Sequence, residues 1–128
     1  MKLLLDTHLL LWSISDSSRL SRLAHTLIGD TENEAHFSVV SLWEIVIKTS
    51  RGKWDFKVDA AKVRRNLLNN GYVEMPIVSS HVIMVSTLPA LHRDPFDRLL
   101  VAQARVEGIT LLTADSKIAQ YPGPIQKV

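Results

Sequence analysis

The chain has 128 residues, 46% hydrophobic and 22% charged, with a formal charge of +2; this is enough for one hydrophobic core and too little for two ordinary domains, so a single domain over 1–128 is expected. There is no cysteine, which excludes disulfides, thiolate zinc sites and cysteine nucleophiles. The mild basicity permits a polyanionic partner without requiring one, and no apolar run reaches signal-peptide or membrane-spanning length, so a cytoplasmic protein with no membrane segment is expected.

In chain order, the apolar run 2–5 ends at Asp6 and Thr7 and passes into His8-Leu9-Leu10-Leu11-Trp12, which reads as a buried strand followed by a helix. A polar break at Asp16-Ser17-Ser18 precedes a helix over 21–28, with apolar spacing at Leu23, Leu27 and Ile28 and a stop at Gly29. Residues 36–40 read as a second strand, and Ser41-Leu42-Trp43-Glu44 then opens a helix to about Arg51 with the Ser-x-x-Glu pattern of a capping box. A loop carrying Trp54 and Phe56 leads to Asp59, the expected cap of a helix through Leu68 that closes at Gly71.

Residues 72–78 read as a strand that Pro76 confines to an edge or an end, and Ser79 starts a short helix to Leu88. Asp94 before Pro95 is a strong helix start, and that helix runs to Glu107 with Gly108 as its stop. Residues 109–113 form a further buried strand, Ala114-Asp115-Ser116 turns into a short helix, and 125–128 close the chain as a last strand. Short apolar strands alternating with helices define an α/β fold with a mainly parallel central sheet flanked by helices.

In such a sheet the C-terminal strand ends and the following helix N-termini share one edge, where ligands bind. Asp6, Glu44, Asp97 and Asp115 all fall on that edge. Two unit charges ~4 Å apart repel by roughly 4 kcal/mol at an effective dielectric near 20, so a cluster needs either a hard cation such as Mg²⁺ or Mn²⁺ or local basic partners. Each acid also has a structural reading. Glu44 can close a capping box with Ser41 or pair with Lys48 and Arg51 on its own helix stripe, Asp115 can cap a short helix, and Asp94 and Asp97 suit a helix first turn. Asp6 is harder to dismiss, because the helix after it could equally be capped by Thr7. The histidines His8, His25, His36, His81 and His92 show no metal-ligand spacing and read as surface or core filler. No Gly-x-Ser-x-Gly elbow and no glycine-rich phosphate loop is present.

Four segments in order, Leu4-Leu5-Asp6-Thr7-His8, Ser41-Leu42-Trp43-Glu44-Ile45, His92-Arg93-Asp94-Pro95-Phe96-Asp97-Arg98-Leu99-Leu100 and Leu112-Thr113-Ala114-Asp115, together resemble the PIN domain, most closely the VapC toxins of bacterial toxin–antitoxin pairs. The resemblance implies a metal-dependent endoribonuclease with one or two Mg²⁺ or Mn²⁺ ions at positions corresponding to Asp6, Glu44, Asp97 and Asp115. Asp6 and Asp97 are the expected direct ligands, with Glu44 and Asp115 completing the cage or orienting the attacking water. Thr7, Asp94 and Thr113 are auxiliary candidates, and Arg93 and Arg98 are expected to meet the RNA backbone. The same resemblance implies a homodimer held inactive by a cognate VapB antitoxin. Two other readings stay open: a phosphatase with an aspartate nucleophile after its first strand, which needs a lysine beside the acids, with Lys117 the nearest in sequence, and a non-catalytic α/β binding module.

Overall fold

The middle strand of the sheet is β1, Lys2–Leu5, and its uninterrupted apolar run follows from being covered on both faces. In the computed structural model, which describes residues 1–15, 18–53 and 58–128, Leu3 and Leu5 pack into one apolar cluster with Leu9, Leu10, Phe37 and Leu67. Leu4 points the other way, into a second cluster with Val40, Leu100, Val101 and Leu111.

The elements after β1 are α1 (Thr7–Ser15), α2 (Arg22–Gly29), β2 (Glu34–Ser38), α3 (Val39–Ser50), α4 (Ala60–Asn69), β3 (Val73–Met75), α5 (Ser79–Val85), α6 (Pro95–Glu107), β4 (Thr110–Thr113), a 3₁₀ turn (Ile118–Gln120) and β5 (Ile125–Lys127). The five strands run in the order β3-β2-β1-β4-β5, and every pairing is parallel. Leu4 lies between His36 and Leu111, so β2 and β4 flank β1 in register.

Most expected boundaries match. Asp94 Oδ1 accepts from Phe96 N at 2.8 Å and Asp97 N at 3.3 Å, and Gly108 closes α6 at φ +64°, a left-handed conformation suited to glycine. Asp59 caps α4. Pro76 lies just beyond β3, an edge strand shorter than the expected 72–78, and α5 stops at Val85 instead of reaching Leu88. Of the apolar spacing expected to face α2 inward, Leu23 is exposed and Ala24 is the buried residue. The expectations at Asp16, Ser17, Trp54 and Phe56 fall outside the described residues.

The largest difference lies between β2 and α3. Val39 and Val40, expected to extend the strand, are the first turn of the helix, and Ser38 is its cap, with Oγ accepting from Val40 N at 3.0 Å. Two β-branched residues suggest a strand, but the buried cap and the packing of Val40 into the core decide otherwise. The expected Ser41–Glu44 capping box is therefore absent, and both residues sit inside the helix, fully buried.

Candidate functional site

Because all strands are parallel, Asp6 after β1, the start of α3 after β2 and Thr113 at the end of β4 share one edge. Phe96 packs edge-on against Trp43, with ring centroids 4.8 Å apart, and this contact ties the first turn of α6 to α3. Asp97 is thereby held beside Glu44.

Asp6 is buried, and both its oxygens accept hydrogen bonds. Oδ1 takes Leu9 N at 2.9 Å and Oδ2 takes the Thr113 hydroxyl at 2.6 Å. The first of these is an N-cap bond to α1, so the expectation that Asp6 lacks a capping role is corrected. Thr113 Oγ1 in turn accepts from Asp115 N at 3.0 Å, which links the acid of β1 to the acid after β4. Burial raises the Asp6 carboxyl above its ordinary value, against the opposing bonds from Thr113 and Leu9.

Glu44 is 1% exposed, and Thr7 Oγ1 donates to its Oε1 at 2.5 Å while also lying 3.0 Å from Ser41 Oγ. Its Oε2 receives the Lys48 ammonium, which also reaches Asp94 Oδ2 at 3.3 Å. Burial pulls the Lys48 pKa down, but its bonds to the two carboxylates outweigh that and hold it above the usual lysine value. Sequence reading found only Lys117 near the acids. In space the neighbour is Lys48, whose i+4 spacing from Glu44 was visible but fitted an ordinary surface pair.

Asp97 joins two groups. Its carboxylate and those of Glu44 and Asp94 offer oxygens within 4.8 Å of one another, and a second set of the same compactness is His92, Asp97 and Asp115. His92 Nε2 lies 3.1 Å from Asp97 Oδ2 and 3.8 Å from Asp115 Oδ2. Its Nδ1 accepts from Asp94 N at 3.2 Å, so a neutral ring carries its proton on Nε2, toward the acids. Burial first, then the charges of Asp94, Glu44 and Asp6, pushes the Asp97 carboxyl up to about 8, with Lys48 opposing. His92 is the site residue that sequence reading missed, because its partners lie across a Pro-initiated turn and on a different strand end.

Asp115 is half-exposed, with Oδ1 accepting from Lys117 N at 2.7 Å in the turn before the 3₁₀ segment. Arg98, expected on RNA, instead donates to Pro89 O at 2.9 Å, Val85 O at 3.2 Å and Tyr121 Oη at 3.1 Å. The guanidinium holds the loop after α5, which explains its place on α6. Arg93 is exposed on the loop before α6.

The donor set that faces inward is carboxylate oxygens with no thiolate, which suits Mg²⁺ or Mn²⁺. The crowding fits as well, since burial first and then the charges of neighbouring acids drive Asp97 toward its protonated form.

A family profile described as the PIN domain matches residues 3–124. The fold is similar to VapBC2 from Rickettsia felis, in a structure bound to a DNA fragment from its promoter, with TM-score 0.70 and 17% identity over 99% of this chain and 98% of that one. It is also similar to DNA-bound VapBC from Salmonella typhimurium, at TM-score 0.64 and 17% identity over 99% and 98%. VapBC-1 from nontypeable Haemophilus influenzae gives TM-score 0.64 and 13% identity over 100% and 97%. No curated protein matches in sequence.

Proposed function

The chain belongs to the PIN domain family, and from that premise we propose that it is a metal-dependent endoribonuclease and the toxin of a type II toxin–antitoxin pair. The observation that carries the nuclease reading is Asp97, a carboxylate shared between two compact ligand groups on the ligand-binding edge of the sheet. The VapBC identity of the structural neighbours supports the toxin reading, with a VapB-type antitoxin and a second copy of this chain as partners.

In this reading Asp97 and Asp115 would hold one Mg²⁺ or Mn²⁺, with the His92 Nε2–H facing them as a hydrogen-bond donor, and Glu44 and Asp94 with Asp97 offer a second position. The chemistry such an ion supplies when bound is Lewis-acid stabilisation of phosphoryl oxygens and a water made nucleophilic near neutral pH. The protein's own part is to hold the acids in place. Thr113 and the α1 backbone fix Asp6, Thr7 fixes Glu44, and each bonded carboxylate oxygen keeps a lone pair for a further contact. Lys48 balances Glu44 and Asp94 so that the pocket tolerates its charge, and the exposed Arg93 would meet a backbone phosphate.

The test is incubation of the purified chain, freed of any antitoxin, with single-stranded RNA and with a phosphomonoester, in Mg²⁺, in Mn²⁺ and in EDTA. Internal RNA cleavage that requires the metal is expected. Phosphomonoester turnover without RNA cleavage would overturn the reading. Lys48 beside the acids favours a phosphatase as the second reading, but Lys48 bonds Glu44 and Asp94 and not Asp6, the would-be nucleophile.

A further inference from the structure

Beyond the acids, α1 presents a surface that the reaction above leaves unused. His8 and Trp12, one turn apart, set their rings 5.8 Å from each other at 47°. Trp12 is half-buried, packed along the apolar cluster that contains Leu9 and Leu10. With Arg19 these rings line a cleft of about 320 Å³ whose remaining lining is Asp6, Ala114 and Asp115. The cleft is thus bounded by two of the proposed catalytic acids and by two aromatic rings and a guanidinium.

A polyanion entering a carboxylate-lined edge is repelled unless something else holds it. Single-stranded RNA is held by stacking of its bases on aromatic rings and by cationic contacts to its phosphates, with little demand on sequence. An arginine adds either a planar stacking face or a bidentate phosphate contact. The cleft combines these elements, and its volume of about 320 Å³ is on the scale of one nucleotide.

We propose that this cleft is a nucleotide subsite, in which the base flanking the scissile phosphodiester stacks on Trp12, with the tilted His8 ring at its edge, while Arg19 takes the adjoining phosphate. The inference rests on the nuclease reading and assigns it a single-stranded substrate, engaged next to the cut. Trp12, His8 and Arg19 act as binding residues, and the chemistry stays with the acids.

The test uses the full chain and a fluorescently labelled single-stranded RNA decamer. Affinity is read by anisotropy in EDTA and KM by cleavage in Mn²⁺, for wild type, Trp12→Leu, Trp12→Phe and Arg19→Gln. Trp12→Leu keeps an apolar side chain against the core but removes the ring, and is expected to raise Kd and KM by about 10-fold. Trp12→Phe is expected to keep most of the wild-type affinity, which guards against a fold defect. Arg19→Gln is expected to lower the salt dependence of binding by about one counterion. Decamers with one abasic position in turn complete the test. Wild type is expected to lose affinity sharply at one position beside the cut, and Trp12→Leu to lose no more when that same base is removed. Wild-type affinity in both Trp12→Leu and Arg19→Gln, or abasic sensitivity unchanged in Trp12→Leu, overturns the subsite while RNA cleavage stands. A wild-type chain that does not cut RNA overturns both readings.

Discussion

Buried Ser38, Gln103 and His81 form a polar chain that ends on the exposed Glu107, and along it donors meet acceptors. Ser38 Oγ donates to Gln103 Oε1 at 2.5 Å, and Gln103 Nε2 donates to Pro76 O at 3.2 Å. Val78 N donates to His81 Nδ1 at 3.1 Å, which leaves Nε2 to donate to Glu107 Oε1 at 2.8 Å. Around Asp97 the arrangement differs, since the carboxylates of Glu44, Asp94 and Asp115 come close to its own, with Lys48 and His92 among the basic groups beside them. The first region needs nothing from outside and fixes α3, α5 and α6 together. The second gathers carboxylates that could hold a cation, so the one is read as architecture and the other as a candidate site.

If that contrast is right, the two regions respond oppositely to neutralisation. The largest effect is expected from Asp97→Asn, which should cut RNA cleavage at least ~100-fold while leaving the metal-free protein as stable as wild type or more so. Cleavage rates and thermal melts in EDTA check both halves. Gln103→Leu is the mirror case. It strands Ser38 and the carbonyl of Pro76 and should cost about 1–3 kcal/mol in urea denaturation, with any loss of activity following the folded fraction.

A smaller effect is expected from pH. The folded Asp97 carboxyl sits at about 8 against an ordinary 3.8, so between those values the native state holds a proton that the unfolded chain has given up. Stability of the metal-free protein should therefore fall as pH rises through that window, and Asp97→Asn should flatten the slope. Added Mn²⁺ should raise the melting temperature more at pH 8 than at pH 5, because at low pH the ion competes with the proton. The smallest effect is expected from Lys48→Gln. It should lower metal-free stability by less than Gln103→Leu and increase the gain on adding Mn²⁺, since the cation then replaces the lost ammonium.

Much of this was legible in the residues. The caps at Asp94 and Asp59, the stop at Gly108 and the apolar runs of β1 and β4 each follow from local rules, and parallel topology alone brings Asp6, Glu44, Asp97 and Asp115 to one edge. Glu44 shows where local rules fail. Ser41 and Glu44 match a capping box in sequence, and only the tertiary placement of Val39 and Val40 in α3 moves both into the helix interior. The role of His92 is hidden for a related reason, since it depends on which elements pack against its own, and the visible Glu44–Lys48 spacing does not reveal the further contact of Lys48 with Asp94. The bonds of Arg98 to the loop after α5 are hidden as well, because a basic residue beside a catalytic candidate looks the same in sequence whether it faces a phosphate or holds a loop.

The central claim is that Asp97 makes the rim a cation site, and titration of the metal-free chain with Mn²⁺ tests it most directly, followed calorimetrically at pH 7 in buffers of different ionisation enthalpy. Saturable binding with proton release is predicted for wild type, because the Asp97 carboxyl gives up its proton to the ion, together with strongly weakened binding and no proton release for Asp97→Asn. Equal Mn²⁺ affinity in the two proteins would contradict the account.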